Sequence, residues 1–105
     1  MYTFIETRLF TRLAGEYLDH DEYVRLQLEL IANPGAGFVI PGTGGIRKLR
    51  WSMAGRGKRG ALRVIYYARL RDGVIWLLTL YPKSVRDNIP PHMLRQIAKE
   101  LDDVD

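Results

Sequence analysis

Ala61-Leu-Arg-Val-Ile-Tyr-Tyr-Ala-Arg-Leu-Arg-Asp-Gly-Val-Ile-Trp-Leu-Leu-Thr-Leu-Tyr81 is the stretch on which the fold turns. Its first part, Ala61 to Arg69, is β-branched and aromatic, the composition of a strand. Arg71-Asp72-Gly73 is a hairpin turn signal. Val74 to Tyr81 is the returning strand, and its near-continuous apolar character predicts a central position covered on both faces. Pro82 ends it. A lone hairpin is marginal in water, so this one needs further strands and a helical layer.

The preceding residues supply both. Ile46 to Trp51 reads as a third strand, in which period 2 puts Leu49 and Trp51 on one face and Lys48 and Arg50 on the other. Ser52 to Gly60 is a Gly- and Arg-rich loop. Pro41-Gly-Thr-Gly-Gly45 is a turn, and Phe38-Val-Ile40 is a short strand or extended connection. Further out, Tyr2 to Ile5 is β-prone. Leu9/Phe10, Leu13/Ala14 and Tyr17/Leu18 then form a helical stripe over Arg8 to Leu18. Asp19 opens a second helix with Glu22 three positions on, as in a capping box. That helix carries Tyr23/Val24, Leu26, Leu28 and Leu30/Ile31 and ends at Asn33-Pro34-Gly35. Pro90-Pro91 opens a last helix marked by Met93/Leu94, Ile97/Ala98 and Leu101. The predicted fold is α+β: two N-terminal helices and a C-terminal helix packed on one side of a small twisted, mainly antiparallel sheet. At 105 residues it is a single domain, 1–105, without internal repeat or linker.

Composition narrows the function classes. Hydrophobic content of 47% and charged content of 27% are those of a globular chain. With no cysteine, a disulfide framework, a thiolate nucleophile and a Cys-ligated zinc are excluded. The N-terminus does not read as a signal peptide, and no stretch approaches the roughly 20 apolar residues of a membrane span. A soluble, cytoplasmic protein is expected.

Charge is distributed unevenly. The net charge is only +4, yet the 41 residues from Ile31 to Arg71 contain no acid and nine cations. These are Arg47, Lys48, Arg50, Arg56, Lys58, Arg59, Arg63, Arg69 and Arg71. The first 30 residues carry six acids against three bases, and three acids follow Leu101. A cationic surface with no local counter-charge calls for a polyanion, and nucleic acid is the commonest. Lys48 and Arg50 on one strand face, Arg63 on the opposing strand, and Arg56 and Lys58 on the loop between them converge as candidate phosphate ligands. Lys48 or Lys58 is also a candidate proton acceptor. Tyr81 and Lys83 flank Pro82 at a strand end, where a base-stacking ring and a phosphate contact or proton donor would fit. The plain alternative is a core-capping Tyr81 and a solvated Lys83.

Other motifs carry less. Gly55-Arg-Gly57-Lys-Arg-Gly60 matches G-x-G-x-x-G by letter, but a strand follows it where a dinucleotide loop opens a helix. His20 and His92 are isolated surface candidates, and without paired carboxylates they make no metal site. Ser52 and Ser84 have no triad partners, and Trp51 and Trp76 belong in the core.

The order of elements and four strings resemble the RelE/HigB-like toxins of bacterial type II toxin–antitoxin systems, and the HigB-type branch most closely. The strings are Ile40-Pro-Gly-Thr-Gly-Gly-Ile-Arg-Lys-Leu-Arg-Trp51, Gly55-Arg-Gly-Lys58, Arg63-Val-Ile-Tyr-Tyr67 and Leu77-Leu-Thr-Leu-Tyr-Pro-Lys83. The resemblance implies a RelE-like fold and an endoribonuclease that enters the ribosomal A site and cuts mRNA there. It implies neither metal nor other cofactor: the ribose 2′-hydroxyl attacks the adjacent phosphate, and basic residues replace the usual histidine pair. By position, Lys48 and Arg50 match the family's cationic strand pair and Arg63 its scissile-phosphate ligand. Lys83 matches the basic residue after the last strand, and Tyr81 lies near the family's aromatic positions. Arg47, Arg56, Lys58 and Arg59 fall to RNA or ribosome contacts, although Arg59 stands where a smaller residue is expected. The implied partners are mRNA, the ribosome with its RNA, and a helix-turn-helix antitoxin. Two rivals remain at the level of sequence: a non-catalytic RNA- or ribosome-binding module, and a domain whose basic face meets an acidic protein.

Overall fold

A computed structural model describes residues 2–52, 61–85 and 89–102. The chain runs β1 (Thr3–Glu6), α1 (Arg8–Tyr17), α2 (His20–Ala32), β2 (Phe38–Val39), β3 (Arg47–Trp51), β4 (Leu62–Arg69), β5 (Val74–Pro82) and α3 (Pro91–Asp102). These form one five-stranded sheet in the order β1-β5-β4-β3-β2. β1 lies parallel to β5 and every other pair is antiparallel. The α+β prediction and its mainly antiparallel sheet therefore hold.

The local chemistry is legible. Thr7 caps α1 by accepting from the Phe10 N–H at 3.0 Å, and Asp19 caps α2 by accepting from Glu22 N–H at 2.8 Å. Between β4 and β5, a 3-10 turn at Leu70–Asp72 closes on Gly73, whose φ of 66° is the left-handed conformation glycine tolerates. Between β2 and β3, the Thr43 hydroxyl donates to Ile40 O at 2.7 Å and accepts from Ile46 N at 3.1 Å. β5, between β1 and β4, is buried from Ile75 to Tyr81, as its composition predicts.

The expected one-sided helical layer does not form. The helices do not share one side of the sheet. Phe10, Leu18, Leu26 and Leu30 from α1 and α2 join Trp51, Leu62, Val64, Tyr66, Ile75, Leu77 and Leu80 in one core. Ile97 from α3, with Met93 and Leu94 against it, joins Ile46, Ile65, Trp76, Leu78, Tyr81 and Ile89 in another. Alternate residues of β4 and β5 divide between these cores, so α1 and α2 cover one face and α3 the other. The cause lies in β5, which is apolar on both faces and must be shielded from water on both.

The register slips once. Ile65 faces Thr79 while Tyr66 faces Leu77, which leaves Leu78 as the extra residue of a bulge. Thr7, at the end of β1, ties down this spot: its N–H donates to Leu77 O at 3.0 Å and its hydroxyl to Leu78 O at 2.6 Å. The α2 stripe is also divided. Leu26 and Leu30 are buried, whereas Val24, Leu28 and Ile31 are exposed. No helix among the described residues is long and apolar enough to cross a membrane.

Candidate nucleic-acid interface

The cationic face follows from strand periodicity and register. In the ladder, Arg50 stands opposite Arg63, which stands opposite Tyr81. The neighbouring row is Phe38, Lys48, Ile65 and Thr79. Residues directly opposite project to the same face, so Phe38, Lys48, Arg50 and Arg63 share the face that also carries α3. Between them lies an open cleft of about 600 Å³ lined by Ala36, Phe38, Lys48, Leu49, Arg50 and Arg63. Small Ala36 leaves room beside the arginine pair.

Burial grades across this cleft. Arg63 is only 4% exposed and forms its floor. Lys48 is half-buried and Arg50 exposed at its wall. A phosphate matches the planar guanidinium fork in geometry and charge.

The structure separates the sequence candidates. It brings Lys48, Arg50 and Arg63 together. Tyr81 stands beside Arg63, but at 6% exposure its ring is part of the core under α3 and offers no surface for stacking. The core-capping alternative is thus the one observed for its ring. Lys83 is exposed just beyond β5, where its N–H reaches Ala61 O at 3.4 Å. Arg47 projects to the other face, and its Nη1 donates to Gly37 O at 2.7 Å and Gly35 O at 3.5 Å. Its place is that of a brace behind the cleft. Arg56, Lys58 and Arg59 lie between β3 and β4, outside the described residues. His20 and His92 are both exposed. Among the described residues, no group of three His, Cys, Asp or Glu is placed to hold a metal.

Two supports were not anticipated from sequence. The first sets the Pro34–Phe38 segment. The Tyr66 hydroxyl accepts from Gly37 N at 2.9 Å and donates to Pro34 O at 2.8 Å. Burial raises the pKa of this hydroxyl, while the Gly37 bond and the Arg47 charge act in the opposite direction. Gly37 packs so closely that a Cβ there would lie 2.9 Å from the Lys48 carbonyl. The second support holds the end of β3. Glu22 accepts from Trp51 Nε1 at 3.3 Å and from Arg25 at 2.9 Å. Arg25 lies 4.1 Å over the Trp51 ring and donates to Ser52 O at 2.7 Å. α2 thereby fastens the strand that carries Arg50. The Glu22/Arg25 spacing of one helical turn was visible in the sequence; its target on β3 was not.

No family model matches the chain. Among solved structures, a double mutant of the E. coli toxin RelE in the free state aligns over 94% of this chain and 95% of that chain, with a TM-score of 0.60 and 12% identity. That likeness is one of fold: the chain has the RelE-like architecture, with three helices on a five-stranded mixed sheet.

Proposed function

We propose that this chain is the toxin of a type II toxin–antitoxin pair, of the HigB type, acting as a ribosome-dependent endoribonuclease on mRNA in the A site. The observation that carries the reading is the buried Arg63 facing Arg50 on the floor of an open, cationic cleft. The fold shared with a toxin points the same way. In this reading the scissile phosphate lies on Arg63 and Arg50. The ribose 2′-hydroxyl attacks its phosphorus, and the bond to the 5′-oxygen of the next nucleotide breaks. A 2′,3′-cyclic phosphate forms, and the departing oxygen leaves as a 5′-hydroxyl after taking a proton. Arg63 and Arg50 stabilise the charge that develops on the phosphate oxygens, where fixed donors act most strongly. Lys48 and Lys83 are the candidate proton carriers. The active protein works in the cytoplasm and needs a cognate helix-turn-helix antitoxin to protect its host.

A second reading rests on Tyr81. With its ring buried, the described cleft exposes neither a phenol nor an imidazole as a proton carrier, which favours a non-catalytic RNA- or ribosome-binding module. Primer extension on mRNA incubated with the protein, with and without translating ribosomes, separates the two. Codon-related cuts that require ribosomes support the nuclease. Tight binding without cuts supports the module. For the nuclease, Arg63→Ala is expected to lower cleavage by about 10²–10³-fold, the usual loss on removing one preorganised charge-stabilising donor.

A further inference from the structure

Phe38 is 84% exposed, the highest value among the large hydrophobic side chains described. A lone exposed apolar residue needs no explanation. Three features set this one apart. It lines the cleft with Lys48, Arg50 and Arg63. It occupies a two-residue strand paired directly to Lys48. The backbone just before it is fastened at Gly37 by both Tyr66 and Arg47. The fold thus holds an aromatic ring in water beside a row of cations.

We propose that Phe38 is the platform on which one unpaired RNA base stacks while the adjoining phosphate lies on Arg50 and Arg63. The inference rests on the RNA reading above and deepens it by assigning the base-binding residue. Strand spacing of about 4.8 Å and a two-residue rise of about 6.7 Å put the Phe38 and Arg50 backbones about 8 Å apart. A nucleotide spans that separation, with its base on the ring and its phosphate on the guanidinium. Aromatic rings beside cationic grooves hold single strands in this way, and an aliphatic side chain lacks the π-face required. A protein ligand is the weaker fit, because the apolar lining shrinks to Phe38, Ala36 and Leu49 between the cations.

The test is ribosome-dependent cleavage of mRNAs carrying a single abasic nucleotide at each A-site codon position in turn. Each is presented to the wild type, Phe38→Ala, Phe38→Leu and Phe38→Trp. For the wild type, removal of one particular base is expected to cost about tenfold, within the range of a single base–aromatic stack. Phe38→Ala and Phe38→Leu should lose about as much on intact mRNA and nothing further on that abasic message. Phe38→Trp should retain the wild-type pattern. Phe38→Ala cutting as well as the wild type would overturn the platform, as would losses that multiply with removal of the same base. Unchanged cutting with loss of antitoxin neutralisation would overturn it in favour of a protein contact. A wild type that cuts nothing would overturn the ribonuclease reading, and the platform with it.

Discussion

Tyr66 links the core to the cleft through one oxygen atom. Its ring is fully buried, and its hydroxyl joins Gly37 to Pro34. Tyr66→Phe keeps the packing but strands a buried N–H, which costs about 1–3 kcal/mol. Thermal unfolding of this variant should shift downward by several degrees or more. Tyr23 is a second such residue: its hydroxyl donates to Glu6, whose other oxygen accepts from Thr11 at 2.7 Å. Burial, followed by the hydrogen bond and charge of Glu6, pushes this tyrosine above its ordinary value of 10.0. The folded chain therefore holds the proton to higher pH than the unfolded chain does. The resulting stability is complete below about pH 10 and is lost as pH rises beyond it. Denaturant midpoints measured from pH 8 to 11 should fall less steeply for Tyr23→Phe than for the wild type. Parallel curves would refute the assignment.

At the scale of elements, the decisive joints are where a helix meets a strand. Thr7 ends β1, caps α1 and satisfies the carbonyl of the bulged Leu78. Thr7→Val is nearly isosteric yet removes both hydroxyl bonds. A lost cap and an unpaired carbonyl together predict destabilisation of about 2–3 kcal/mol, measurable by equilibrium denaturation. The joint between α2 and β3 is of another kind. Arg25 holds Trp51 by stacking and Ser52 by a hydrogen bond, so it acts on the cleft through the strand that bears Arg50. Arg25→Ala should alter Trp51 fluorescence and lower cleavage at saturating substrate, while the salt dependence of binding stays as in the wild type. A change in salt dependence would instead make Arg25 an RNA ligand. Arg25→Lys should restore little, since a lysine cannot reproduce the planar stack.

At the scale of the molecule, the acids of the N-terminal segment and the cations of the cleft stand on different faces of the sheet. The acids of the first 30 residues lie on β1, α1, α2 and the α2 cap, and α1 and α2 cover one face of the sheet. Lys48, Arg50 and Arg63 lie on the other. The clustered Lys48, Arg50 and Arg63 steer a polyanion to the cleft. Affinity for ribosomes or RNA should then fall steeply with salt, and Lys48→Ala should reduce the slope of log K against log salt by about one. An unchanged slope would remove Lys48 from the phosphate contacts.

Much of the architecture is legible in local pattern. Period 2 in Ile46–Trp51 already put Lys48 and Arg50 together, and Asp19, Gly73 and Pro90-Pro91 marked their boundaries through local backbone chemistry. The hairpin from Ala61 to Tyr81 and the central place of its second strand followed from composition, because a strand apolar on both faces can be stable only inside. Long-range placement was a different matter. That α3 crosses to the opposite face, that Tyr81 turns its ring into the core and Arg47 turns away from the cleft, and that Phe38 stands in water beside Lys48 all depend on pairings between distant residues. Local propensity carries no information about which distant surface a side chain will meet. Local pattern fixed most of the elements and set Lys48 and Arg50 side by side on β3. Which aromatic ring stands beside those cations follows from tertiary pairing, because register and the two-sided core select among faces that are locally equivalent.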